Sequence, residues 1–266
     1  MRLDKFLVES FLGTRKQVRL DIQSGKVKVN HRVLLDPAFD IHEEKDLIEF
    51  EDNLVVYPGR FYFMFHKPAG CITARSDEAH KTVFDYFEKP FKEGLFAVGR
   101  LDKDTEGLLL LTNDGDFDYH LMHPKHEVAK TYFFWALGVL DEAAIKKLEE
   151  GVVIGEEEEL TKPAKLTIEC SGDYKELRST IPLMTEDSFP SISEGQQVVA
   201  GYLTITEGRK HQVKRMLKVV GCYVIYLKRV AISGVTLDAE LNRGEYRPLS
   251  EEEITILYGK YRESQN

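Results

Sequence analysis

The chain has 266 residues, 42% of them hydrophobic and 30% charged, with 9 prolines and 19 glycines, a globular balance that excludes wholesale disorder and collagen-like repeats. No stretch nears the roughly 20 apolar residues that cross a bilayer, and Met1 to Phe6 lacks the apolar core of a secretory signal. Net charge is −9, but of 36 basic and 45 acidic residues, eight and three fall in residues 1–33, a local +5, which sets a basic polyanion-binding segment against an acidic remainder. The three cysteines, Cys71, Cys170 and Cys222, are odd in number and far apart, against both a disulfide framework and a four-thiolate zinc site. The expected compartment is the cytoplasm, with no membrane contact.

In the basic start, Leu3, Phe6 and Leu7 make one apolar helical stripe. Thr14 followed by Gln17 reads as a capping box opening a second helix from Arg15 to about Ser24. That helix buries Val18 and Ile22, stops at Gly25, and turns Arg15, Lys16 and Arg19 outward. Lys26 to Val33 alternates basic and apolar around Asn30-His31, a short hairpin with a cationic outer face. A basic helix beside a basic strand suits structured RNA, where phosphate and 2′-hydroxyl contacts outweigh base reading; a solvated basic face is the plainer reading. The Met1–Phe6 opening, Arg15-Lys16-Gln17-Val18-Arg19, and Ile22 to Asn30 resemble an S4-type RNA-binding module covering residues 1–57. The resemblance implies RNA contacts from Arg2, Lys5, Arg15, Lys16, Arg19, Lys26 and Lys28. Tyr57-Pro58-Gly59-Arg60 has the composition of a linker.

A second domain is expected over 61–258, with strands and helices mixed. Phe61 to Phe65 reads as a strand ending in a Lys67-Pro68-Ala69-Gly70 turn. Further strands are expected at 108–111, 131–137, 166–170 and 201–206, and helices over 142–150 and 210–220. Residues 171–199 read as an insertion or long hairpin loop, and Glu156 to Glu159 as a solvated turn. His120, His123 and His126 recur every third residue with Pro124 between them, so they share no helical face and point to a polar turn rather than zinc. Cys71 reads as a small packing residue.

The stretch from Gly99 to Gly115 holds Asp102, Asp104, Glu106 and Gly107. It imitates the start of a calcium loop, but its twelfth position is Asn113 where a bidentate Glu is needed. Asp102 and Asp104 also have the composition of a glycosidase pair, or of a turn before a buried strand. Those readings stay open on spacing alone. The run Gly-Arg-Leu-Asp, then Thr-Glu-Gly-Leu-Leu-Leu-Leu-Thr-Asn-Asp-Gly, resembles the active-site signature of the pseudouridine synthases. Ala129-Lys130-Thr131-Tyr132, Glu207 to Met216, and Leu227 to Leu237 resemble three further blocks of that family, so the likeness spans almost the whole chain.

The resemblance implies an α+β fold: a small S4-like module, then a larger domain on a mixed, mainly antiparallel sheet with flanking helices. It makes Asp102 the catalytic carboxylate, Tyr132 the residue facing the target base, and Arg100 a contact to the extruded nucleotide. A basic residue in the 207–216 block pairs with the aspartate; Lys214 is favoured over its neighbour Arg215. Helical spacing puts His211, Lys214, Arg215 and Lys218 on one face and Val213, Leu217 and Val220 on the other, so His211 and Arg215 join the substrate contacts. Leu227 walls the uracil pocket. No cofactor or metal is implied. The implied reaction isomerises a uridine of 16S ribosomal RNA, uridine 516 by resemblance, in an assembly intermediate engaged by a monomer. A synthase acting on 23S rRNA and a non-catalytic rRNA-binding assembly factor are the alternatives.

Overall fold

The computed structural model describes residues 1–89, 91–155, 159–182, 192–193 and 195–259. In the N-terminal module, helices α1 (Leu3–Glu9) and α2 (Arg15–Gln23) accompany strands β1 (Val27–Val29), β2 (Arg32–Val33), β3 (Ile48–Phe50) and β4 (Asn53–Leu54). The strands form an antiparallel sheet in the order β2-β1-β3-β4. Leu3, Phe6, Leu7, Val18 and Ile22 from the helices close over Val27, Val29, Ile41 and Ile48, all buried. Asn30 and His31 have φ of +49° and +66°, the left-handed pair that a two-residue hairpin turn requires. The capping box is only half made. Thr14 Oγ1 accepts from Gln17 N at 3.3 Å, but the Gln17 amide turns to Asp21, one helical turn on, at 3.1 and 3.2 Å.

The larger domain contains β5 (Tyr62–Lys67), β6 (Phe96–Val98), β7 (Glu106–Thr112), β8 (Lys130–Leu137), β9 (Lys165–Asp173), β10 (Gln197–Ile205), β11 (Tyr223–Ile232), β12 (Val235–Thr236) and β13 (Tyr246–Pro248). They build one sheet in the order β13-β5-β7-β11-β8-β10-β9, with β6 beside β7 and β12 beside β11. Among the described strands only β7 and β11 run parallel, so the sheet is mixed and mainly antiparallel. Its helices are α3 (Phe91–Gly94), α4 (Gly115–Met122), α5 (Glu142–Glu150), α6 (Tyr174–Leu177), α7 (Gln212–Val219) and α8 (Glu251–Tyr258).

Every residue of β5 and β7 is buried, because helices or strands cover both faces of the sheet centre. Side chains alternate between two cores. Phe63, Phe65, Leu109 and Leu111 join Phe134, Leu203, Met216 and Leu217 on one face. Tyr62, Met64, Leu108 and Leu110 meet Phe117, Ile254, Leu257 and Tyr258 on the other.

The expected insertion at 171–199 is shorter than read. Residues 171–173 lie in β9 and 197–199 in β10, paired antiparallel, since both strands continue past their most apolar part. Residues 183–191 and 194 are outside the described residues, as are Glu156 to Glu158. Among the described residues no three potential metal ligands converge. His126 Nδ1 instead donates to the His120 carbonyl at 2.8 Å, and His123 Nδ1 accepts from Lys125 N at 3.3 Å. Cys71 is buried.

Gly107 has φ +107°, and a Cβ there would sit 2.2 Å from Arg229 O and 2.8 Å from Arg229 N. Neither atom can yield, because both are backbone of the strand paired with β7. Gly107→Ala is therefore expected to cost roughly 2–4 kcal/mol. The measurement is the urea midpoint at unchanged m; a midpoint equal to that of the natural protein would contradict the close approach.

Candidate active site

Asp102 lies in the loop joining β6 to β7, and three contacts from outside fix that loop's main chain. Lys67, fully buried at the end of β5, donates from Nζ to Pro68 O at 3.0 Å, Lys103 O at 3.4 Å and Thr105 O at 2.9 Å. Thr73 Oγ1 donates to Leu101 O at 2.9 Å and accepts from Leu101 N at 3.2 Å. Gly70 N donates to Lys103 O at 2.7 Å. Burial pushes the Lys67 ammonium below the ordinary lysine range, opposed by Cys71 and by the Asp104, Asp102 and Glu106 carboxylates. The three carbonyls replace the water it has lost. Sequence reasoning treated Lys67 only as the first residue of a turn. The available signal was a lysine closing an otherwise apolar strand directly before proline.

Asp102 Oδ2 is 3.2 Å from Lys214 Nζ, and Oδ1 is 3.5 Å from His211 Nε2. Lys214 also bridges to Asp104 Oδ1 at 2.5 Å. Arg215 points elsewhere: its Nη1 donates to Lys210 O at 3.2 Å and its guanidinium packs against Gly155. Of the two adjacent cations, Lys214 is the one beside Asp102.

The cause is where the helix begins. The spacing predicts a helix from Lys210, whereas α7 starts at Gln212 and His211 has φ +53°. Gln212 accepts from Arg209 N at 2.8 Å and donates to Glu207 at 2.7 Å, which folds residues 207–212 into a turn. His211 therefore stands outside the helical face expected for it, with its ring toward Asp102. Gln212, Val213, Met216 and Leu217 form the buried stripe; Val220, expected there, is half-buried.

Asp102, His211 and Lys214 line a small cleft of about 60 Å³ together with Arg209 and Gln212 and with the apolar side chains of Leu101, Tyr132, Ile205, Val213 and Leu227. Tyr132 and Leu227 are 9% and 4% exposed, while the Asp102 and Lys214 side chains are 29% and 25% exposed. Asp102, Lys214 and His211 thus stand at the mouth, and Tyr132 and Leu227 form the floor. Arg100 is exposed two residues before Asp102 and bonds to no described residue. The arrangement offers a carboxylate, a counter-charge and a water-poor surface for a planar ring.

Most of the module's cations are paired with carboxylates. Arg2 and Arg19 each reach the fully buried Asp4 at 2.9 Å, and Arg15 stands 3.8 Å away, so three guanidiniums surround one carboxylate and positive charge is left over. Burial would raise the Asp4 carboxyl; the hydrogen bonds from Arg2 and Arg19 hold it below its usual value. Lys16 is exposed and pairs with no described residue. Lys26 is shared between Asp21 and Glu51 at 3.0 Å each, and Lys28 pairs with Asp52. Lys5, which the resemblance makes an RNA contact, bridges to Asp116 of the second domain at 2.6 Å, because it lies on the side of α1 that faces that domain. A second cavity, about 830 Å³, lies between the domains with Lys5, Arg15 and Arg75 balanced by Glu9, Glu93 and Asp116 in its lining.

A paired aspartate on a loop between sheet strands, lining a small cleft and joined to a small basic module, is the arrangement that the resemblance to RNA-modifying isomerases implies. Residues 61–218 match the family model for RNA pseudouridylate synthase and residues 1–48 that for the S4 domain. The chain belongs to the RNA pseudouridylate synthase family. More particularly, it is 38% identical over 259 residues to ribosomal small subunit pseudouridine synthase A of Haemophilus influenzae, covering 97% of this chain and 99% of that one. It is 41% identical over 264 residues to the uncharacterized RNA pseudouridine synthase YtzG of Bacillus subtilis, covering 97% and 98%. A crystal structure of a pseudouridylate synthase superimposes with a TM-score of 0.62 at 36% identity, over 97% and 99% of the two chains.

Proposed function

We propose that the chain converts one uridine of 16S ribosomal RNA to pseudouridine, uridine 516 by the resemblance of its sequence blocks, acting as a cytoplasmic monomer on a subunit assembly intermediate. The observation that carries the reaction is the Asp102 carboxylate 3.2 Å from Lys214 at the mouth of the cleft. Near end-to-end similarity to enzymes named for the small subunit supports the choice of RNA.

The target base must leave its stack, at a cost of a few kcal/mol. Tyr132 and Leu227 then offer one aromatic and one aliphatic surface to the ring, and exclude the water that would divert an intermediate to hydrolysis. The N1–C1′ bond breaks, the uracil turns, C5 joins C1′, and the C5 proton passes to N1 or solvent, so product and substrate are isomers. Asp102 serves this sequence in one of two ways: by adding to C1′, or by taking the 2′ proton to give a glycal. Lys214 supplies positive charge next to it throughout, and the His211 ring stands 3.5 Å from its other oxygen. Arg100 reaches the backbone of the extruded nucleotide, and Arg215 contacts flanking RNA. Arg2, Arg15, Lys16, Arg19, Lys26 and Lys28 draw in phosphate and give binding its salt dependence.

The test is carbodiimide labelling and primer extension across 16S and 23S rRNA from cells lacking the gene, with and without the protein supplied. The expected result is a single protein-dependent stop in 16S rRNA. A stop only in 23S rRNA moves the activity to the large subunit. No protein-dependent stop in either leaves a non-catalytic assembly factor as the reading.

A further inference from the structure

The signature that begins at Gly99 ends in Thr112-Asn113-Asp114-Gly115, and this last part is nowhere near Asp102. Strand β7 has seven residues, so at about 3.3 Å each it separates the two ends by some 20 Å. At the far end, Asn113 is 1% exposed and bonded to three different segments. Its Nδ2 donates to Glu9 O, at the end of α1, at 3.0 Å and to Gly59 O at 2.9 Å. Its Oδ1 accepts from Phe61 N, just before β5, at 2.8 Å. One amide thus ties the module, the connection and the sheet together.

Charged groups surround that amide. Arg60 lies between one carboxylate of each domain, with Nε 3.7 Å from Glu9 Oε2 and Nη1 3.6 Å from Asp114 Oδ2. Tyr57 donates to Glu9 at 2.5 Å, and Tyr62 and Tyr258 donate to Asp114 at 2.7 and 2.5 Å. Asp114 also caps α4 by accepting from Asp116 N at 3.0 Å. Both carboxylates are essentially buried. Beside this knot the domains are separated by the 830 Å³ cavity, so among the described residues their relative placement rests on these polar bonds, the Lys5–Asp116 bridge and the Phe11 ring, which lies 5.8 Å from Phe61 and packs on Gly94. Equal numbers of acids and bases line that cavity, which makes it a poor seat for a polyanion.

We propose that Asn113 is a positioning residue that holds the S4 module in a fixed orientation, so that rRNA docked on the module presents its uridine to Asp102. The inference rests on the rRNA synthase reading above. An interaction some 20 Å from the reacting bond cannot alter the chemistry directly; it acts on how often docked RNA reaches the cleft. Without Asn113 the buried Glu9 carbonyl and the partly buried Gly59 carbonyl lose their donor, the connection loosens, and module and cleft no longer engage one RNA together.

The experiment compares Asn113→Ala with the natural chain, on a 16S rRNA fragment that the natural chain modifies. The expected result is KM raised about tenfold with kcat within threefold, and tryptic cleavage after Arg60 about tenfold faster. A KM within twofold of the natural chain overturns the inference, whatever the cleavage rate. So does a fall in kcat at unchanged KM, which marks a damaged catalytic domain. If Asn113→Ala does not fold, Asn113→Asp keeps the volume and the bond from Phe61 while losing both donors, and is held to the same outcomes. Absence of turnover by the natural chain on any rRNA counts against the function itself; cleavage after Arg60 then still reads the tie, and equal rates overturn it.

Discussion

Asp102→Asn is expected to lower pseudouridine formation by at least about 10⁴-fold while RNA affinity stays within about threefold. The amide keeps the shape of the carboxylate but neither adds to C1′ nor takes a proton at any useful rate, and removal of a covalent or proton-transferring group costs on this scale. The fold has no reason to suffer. The loop is held through its main chain, by Lys67 on Thr105 O, by Thr73 on Leu101, and by Thr105 N on Asp102 O at 3.2 Å. RNA affinity should survive, because the phosphate contacts proposed above lie chiefly on the module. The check is release of tritium from RNA labelled at uracil C5, beside a filter-binding titration. Turnover within tenfold of the natural chain would remove Asp102 from the chemistry.

Lys214→Met is expected to lower kcat by about 10²–10³-fold, the loss typical when one preorganised electrostatic partner is taken from a reacting group. Methionine keeps nearly the length of the side chain but leaves His211, at 3.5 Å, as the one basic group paired with Asp102 among the described residues, and releases Asp104. Arg215→Met is the matched control. Its guanidinium is spent on Lys210 O and the Gly155 turn, so kcat should stay within about threefold. Equal losses in single-turnover rates of the two variants would contradict the assignment of the pair to Lys214.

Local elements were legible where a short-range rule decides them. The helix over 142–150 is framed by Asp141, whose carboxylate accepts from Ala144 N at 2.7 Å, and the hairpin by an Asn-His turn. The mixed sheet was legible only through family likeness, because β5 and β7 are buried on both faces and carry no period that distinguishes strand from buried helix. At the site, the resemblance names Asp102 and favours Lys214 over the adjacent Arg215, but spacing alone gives no physical reason for the choice. That choice depends on the start of α7, set by Gln212 reaching back to Arg209 and Glu207. Lys67 and Thr73 were invisible as parts of the site because they act through backbone carbonyl and amide groups of a loop more than 25 residues away. The 57–60 segment has the Pro-Gly composition of a free linker, yet Tyr57 stacks on Phe6 at 5.5 Å and Arg60 joins two buried carboxylates. Composition reports what a segment could do alone, not what folds around it.

The most direct measurement is the crystal structure of the Asp102→Asn variant bound to a 16S rRNA fragment carrying its target uridine. The account predicts that the uracil is extruded between Tyr132 and Leu227, with C1′ or the 2′ carbon of its ribose in van der Waals contact with the residue 102 side chain. A target uridine still stacked in its helix, or seated in the cavity between the two domains with the Asp102 cleft unvisited, would contradict it.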